Sequence, residues 1–217
     1  MPANQNHQMP KKYKNRYRIQ SHRKPGWDYS APGQYFITFV VQKHRCILGH
    51  IHNDEMIYND WGKIILTEWL KSFEIRNELF CDIFQIMPNH LHAIITIIPA
   101  AGRGNDGVQP HGRVALQENP GEINPHSKKN HPIRKPKSIS SFIAGFKSAT
   151  NTEIDNAIDA GINLFPEFGK FNRNNHFWQP NYHDHIIRNE SSYNRIFNYI
   201  KSNPKNWKND SLKNSGK

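Results

Sequence analysis

The sequence predicts an α+β domain built on an antiparallel sheet. Three observations carry this: an aromatic and β-branched run at 35–42, two apolar segments meeting at Pro88-Asn89, and two stretches with apolar residues three and four apart, after Asn59 and after Ser138.

The run Tyr35-Phe36-Ile37-Thr38-Phe39-Val40-Val41-Gln42 follows Pro32-Gly33 and has the composition of a buried strand. Residues 48–58 read as a short excursion at an edge. Asn59 or Asp60 can accept from the free amides of a helix start, and Ile64, Ile65, Trp69 and Phe73 then give a helical stripe over 61–76. Segments 80–87 and 90–98 flank Pro88-Asn89, whose residues suit a tight turn, so they form a hairpin. Residues 100–136 carry glycine, proline, asparagine and histidine with few large apolar side chains, and read as a flexible insertion. Ile139, Phe142, Ile143 and Phe146 mark a second helix from Ser138 toward Thr150. A last short strand falls near Phe177-Trp178, a helix begins near Tyr182, and Asn189 caps a further helical stretch over 193–202 that Pro204 stops. Strand, helix, strand, strand, helix, strand is the order of a split βαβ, ferredoxin-like sandwich, here with a C-terminal helix carrying the tyrosine. The expected organisation is a basic arm at 1–28, one domain at 29–207 with its insertion, and a tail at 208–217.

Lysine and arginine outnumber the acids 29 to 18, a net charge of +11 that points to a polyanion, nucleic acid before membrane. No acid precedes Asp28, while Lys12, Arg16, Arg18 and Arg23 alternate with Tyr13 and Tyr17, an arm suited to a phosphate backbone. Lys147 and Arg188 are further candidates for phosphate contact. The apolar run 93–98 is far shorter than the ~20 residues of a membrane span, and the N-terminus has no apolar signal core. A soluble, cytoplasmic, nucleoid-associated protein is expected. Cys46 and Cys81 are too few for a disulfide scaffold or an all-cysteine zinc site.

Thirteen histidines make a His-x-His pair cheap by chance, and the chain has three. His50-Ile51-His52 lacks a long strand to hold its rings. His183-Asp184-His185 reads as helical, where positions two apart do not share a face. His90-Leu91-His92 leads into the apolar strand, whose period of two puts both imidazoles on one side and Leu91 on the other. Two imidazoles can share a cation but need a third nitrogen or oxygen donor. On a helix beginning near Tyr182, His185 shares the tyrosine's face and is the candidate third ligand or proton acceptor. Tyr182, with a reference pKa near ~10, needs a proton acceptor or nearby positive charge to act as a nucleophile.

Met87-Pro88-Asn89-His90-Leu91-His92, with Trp178-Gln179-x-x-Tyr182-x-x-His185-Ile186-Ile187-Arg188 and Tyr199-Ile200-x-x-Asn203-Pro204 downstream, resembles the HUH single-tyrosine transposases. Within them it looks most like the REP-associated tyrosine transposases, also called IS200-like. The resemblance implies a metal-dependent endonuclease and strand transferase for single-stranded DNA beside a palindromic hairpin. It implies Mg²⁺ or Mn²⁺ on His90 and His92, with His185 as a carried-over third ligand. Tyr182 would form a 5′-phosphotyrosine link, and the protein would act as a monomer or homodimer. The alternatives are a domesticated hairpin-binding protein without transposition, and a metal hydrolase with no covalent intermediate.

Overall fold

The computed structural model describes residues 12–13, 16–17, 23–98, 137–172 and 174–213. Arg18 and the 100–136 insertion lie outside the described residues. In the arm, β1 (Lys12–Tyr13) pairs antiparallel with β2 (Arg16–Tyr17).

The main sheet has four strands: β3 (Gly33–Val40), β6 (Leu79–Met87), β7 (His90–Ile97) and β8 (His183–Ile187). Their order is β6-β7-β3-β8 and every neighbouring pair is antiparallel. With α1 (Asp60–Glu74) between β3 and β6, and α2 (Ile139–Asp159) between β7 and β8, this is the ferredoxin-like βαββαβ arrangement the sequence predicts. The excursion at 48–58 is a separate hairpin of β4 (Gly49–His52) and β5 (Glu55–Tyr58). The C-terminal helix, α3, runs Glu190–Asn206. Among the described residues, no helix is long and apolar enough to cross a membrane.

Local chemistry sets the helix starts. The Asn59 side chain accepts from Gly62 N at 2.9 Å, Ser138 and Ser141 cap each other reciprocally, and Asn189 accepts from Ser192 N at 2.8 Å. Gly62 is required on α1 because a Cβ there would fall 2.1 Å from Leu48 O. One face of the sheet packs on α1 and α2. Trp69 sits at its centre, its ring 5.1 to 6.1 Å from those of Phe39, Phe73, Phe84, Phe142 and Phe146. On the other face, Ile196 and Ile200 of α3 pack on Ile94 and Ile187. Covered on both sides, β7 is buried almost throughout and can hold histidines away from water.

The sequence reading departs from this fold around Tyr182. Residues 183–187 are the fourth strand, not a helix, and Phe177-Trp178 supplies only a single bridge, Trp178 to Val41. The tyrosine carried by the C-terminal helix is therefore not Tyr182, which precedes β8; α3 carries Tyr193 and Tyr199. The pairing of 183–187 with 34–38 is a contact across the whole chain, which local spacing does not report. Pro204 lies within the last turn of α3 rather than ending it, where its missing amide costs one bond of the ladder.

Candidate metal centre and tyrosine

His90 and His92 stand on β7 opposite Val40 and Thr38 of β3, on the sheet face that carries α3. Both are almost fully buried. A hydrogen bond at Nδ1 fixes each ring. Asn89 Oδ1 lies 2.7 Å from His90 Nδ1, and Thr38 Oγ1 lies 2.7 Å from His92 Nδ1. With the proton of each neutral ring on Nδ1, both Nε2 lone pairs face inward toward one volume. Asn89 is held in turn, its Nδ2 donating to His44 O at 3.1 Å and Leu212 O at 2.9 Å.

The third group is Asp210, not His185. It lies just past α3, in the segment expected to be a tail, with Oδ2 3.8 Å from His90 Nε2 and Oδ1 accepting from Leu212 N at 2.7 Å. Ligand atoms of His90, His92 and Asp210 all fall within 4.8 Å of one another, a cluster that could hold a metal ion. Asn203 adds a fourth donor: its Nδ2 donates to Asp210 Oδ2 at 3.3 Å, and its Oδ1 is buried without a hydrogen-bond partner. Nε2 of His90 is equally buried and unpartnered. Orphaned acceptors of this kind are rare in folded proteins, and nitrogen and oxygen donors gathered beside a carboxylate fit a hard or borderline divalent cation.

Burial lowers the pKa of both histidines. Desolvation takes His90 down to about 4 against the opposing pull of Asp210, and holds His92 well below its usual value, with His90 and His183 adding to the effect. At neutral pH both rings are uncharged, the form that ligates.

A tyrosine does reach this pair, and it is Tyr199. Its hydroxyl lies 3.1 Å from His92 Nε2, and its ring packs edge-on to His92 at 5.2 Å and to Phe36 at 6.3 Å. Burial raises its phenol, with Asp210 adding to the rise and Asn203 opposing it. The residue as a whole is 44% exposed, so it lies at the surface rather than sealed in the core. Tyr182 is on the other side of the sheet. Its ring packs on Phe39 at 6.4 Å, its hydroxyl meets Ser140 of α2 at 3.5 Å, and the Arg23 guanidinium covers it at 4.9 Å. Phe39 and Thr38 are consecutive, so they point to opposite faces, and Tyr182 goes with Phe39.

The remaining candidates separate. His185 is opposite Phe36, on the histidine face but on β8, two strands from β7. His183 and His185 do share a face, since they lie on a strand. His50 and His52 are exposed on the β4–β5 hairpin. Lys147 turns inward, its Nζ donating to Gln179 O at 2.6 Å and Asn181 O at 3.4 Å, and its pKa is lowered to about 8 by burial. Arg23 covers tyrosine rings, and Arg188 lines a surface cleft.

Two of these residues carried a signal in the sequence. Tyr199 and Asn203 are four apart, so any helix over 193–202 extended by one residue sets phenol and carboxamide on one face. Asp210 has no such signature, because its approach depends on how the chain turns after α3.

No family model matches the chain. It is 32% identical over 187 residues to an uncharacterized protein of Haemophilus influenzae, an alignment covering 86% of this chain and 88% of that protein. The chain belongs to the family of that protein. Among solved structures it is similar to a REP-associated tyrosine transposase bound to a REP hairpin, at 15% identity and a TM-score of 0.46 over 87% of this chain and 74% of that one. It is similar also to a candidate transposase of Deinococcus radiodurans R1, at 14% identity and a TM-score of 0.36 over 82% and 96%.

Proposed function

We propose that this family member is a metal-dependent endonuclease and strand transferase for single-stranded DNA, with Tyr199 as its nucleophile. The observation that carries the reading is the Tyr199 hydroxyl 3.1 Å from His92 Nε2, at the edge of the buried His90, His92 and Asp210 cluster. The His-x-His motif, the helix-borne tyrosine and the +11 charge support a nucleic acid phosphodiester as the substrate.

His90, His92 and Asp210, with Asn203 Oδ1 beside them, would hold Mg²⁺ or Mn²⁺. The bound cation would supply charge neutralisation at the scissile phosphate. Thr38 and Asn89 fix the orientation of the two imidazoles, which burial keeps neutral and so able to ligate. Tyr199 Oη forms a bond to phosphorus as the P–O3′ bond breaks. The hydrogen lost by the phenol balances the one gained by the leaving 3′ oxygen. The phosphotyrosine ester conserves the energy of the broken bond, so a second 3′-OH can reverse the step and join strands. Burial raises the phenol, which disfavours its ionisation ahead of attack. A strand beside a palindromic hairpin is the proposed substrate.

The test is a covalent adduct on denaturing gels after incubation with Mn²⁺ and single-stranded palindromic DNA. Wild type and Tyr182→Phe are expected to form it and Tyr199→Phe is not. An equal adduct yield from Tyr199→Phe removes Tyr199 as the nucleophile. Cleaved DNA with no adduct from any of the three proteins replaces the covalent mechanism with hydrolysis.

A further inference from the structure

At the open edge of β8, on the side away from β3, lies a cleft of about 560 Å³. Lys24, His185, Arg188, Ser192 and Arg195 line it, together with Asp184. One oxygen of the acid accepts from the Tyr29 hydroxyl at 2.5 Å, and the other, Oδ1, is buried away from solvent without a hydrogen-bond partner. Arg188 and Arg195 have no ion-pair partner among the described residues. Two guanidiniums without an ion-pair partner lining one concavity suit an anion that accepts from both, as a phosphodiester does. The volume falls in the range of sites that enclose a small ligand.

Its position relative to Tyr199 adds the decisive constraint. Arg195 and Tyr199 are four residues apart on α3, hence neighbours on one flank of the helix, about 6 Å apart along its axis. That rise is comparable with the step between successive phosphates of a single strand. A path of side chains joins the two places on the sheet itself. His185 lies opposite Phe36 across β8 and β3, and Phe36 stacks on His92 at 5.4 Å and meets Tyr199 at 6.3 Å.

We infer that this cleft seats a backbone phosphate adjacent to the one attacked by Tyr199, gripped by Arg188 and Arg195, so that α3 sets the register of the strand. The inference rests on Tyr199 acting on single-stranded DNA, and it assigns the seat by charge and spacing rather than by base sequence.

The experiment reads binding apart from chemistry. A fluorescein-labelled single-stranded oligonucleotide is titrated in EDTA and followed by anisotropy over a series of salt concentrations. Arg188→Gln/Arg195→Gln is expected to bind about ten-fold more weakly at moderate salt, with the slope of log K against log salt shallower by about one to two. Lys201→Gln, a cation on a different flank of the same helix, is expected to change the slope less. Wild-type affinity and slope in the double variant overturn the inference, and so does an equal loss from Lys201→Gln. Both arginines lie at the surface, so unchanged melting of the variants is expected and assigns the loss to the cleft. The adduct assay on Tyr199→Phe fails or succeeds independently of these titrations.

Discussion

Lys147 offers a sharp test of how this fold treats a buried cation. Its Nζ lies against Phe39, 5.8 Å from the ring centroid, and donates to two carbonyls of the segment leading into β8. Desolvation lowers its pKa from 10.5 to about 8. Below pH 8 the lysine is charged in folded and unfolded chains alike. Between about 8 and 10.5 the folded chain gives up the proton while the unfolded chain keeps it, so stability rises with pH. The gain is complete above the unfolded value and gone once pH falls below about 8. A span of 2.5 pH units at about 1.36 kcal/mol each bounds the effect near 3 kcal/mol. From about pH 7.5 to 9.5 it amounts to about 2 kcal/mol, or roughly 4–8 °C in Tm for a chain of this size. Tyrosines whose phenols are raised in the fold, such as Tyr29 and Tyr58, pull stability down at the upper end. The measurement is therefore the difference between wild type and Lys147→Met, by urea denaturation at each pH. A difference that stays flat from pH 7.5 to 9.5 refutes the reasoning. Lys147→Met should also leave the salt dependence of DNA binding unchanged, since an Nζ bonded to carbonyls is not offered to phosphate.

Trp69→Ala empties the centre of the aromatic core and should cost about 3–5 kcal/mol in chemical denaturation, against under ~0.5 for exposed Lys63→Ala. Asp210→Asn keeps the shape but removes the carboxylate charge, and should weaken Mn²⁺ binding by about ten- to a hundred-fold in calorimetric titration while melting near the wild-type temperature. Thr38→Val takes away the partner of His92 Nδ1 and should lower Mn²⁺ affinity by a similar factor without touching any ligand atom. Asn59→Ala removes the cap of α1 and should cost about 1 kcal/mol, read as a lower denaturation midpoint with an unchanged slope.

The elements with short-range signatures were legible in the sequence. The β6–β7 hairpin is marked by Pro88-Asn89, α1 and α2 by capping residues and apolar spacing, and the facing of His90 and His92 by the period of a strand. What failed was the segment around Tyr182. Its strand character comes from pairing with β3; Ile186 and Ile187 favour a strand, but the His183-Asp184-His185 before them has no strong preference. Reading it as a helix tied the tyrosine and the third ligand to Tyr182 and His185 together, because both assignments used the same helical spacing. Tyr199 was in view as part of a motif, yet its approach to His92 follows only once α3 is laid over β7. Asp210 is a matter of tertiary placement: an acid in a polar C-terminal stretch is ordinary until Asn89 and His44 tie Leu212 beside the histidines.

Nε2 of His92 has one lone pair, and the Tyr199 phenol lies 3.1 Å from it. A phenol and a cation cannot both use that pair. A cation held as proposed above would therefore displace the hydroxyl from that atom, and its loss would let the hydroxyl return. On that proposal the two events form an interlock, in which Tyr199 would be released only once the cation that readies its target is seated. A trade would come with it, since the hydrogen bond that holds Tyr199 on His92 would be subtracted from the affinity for the cation.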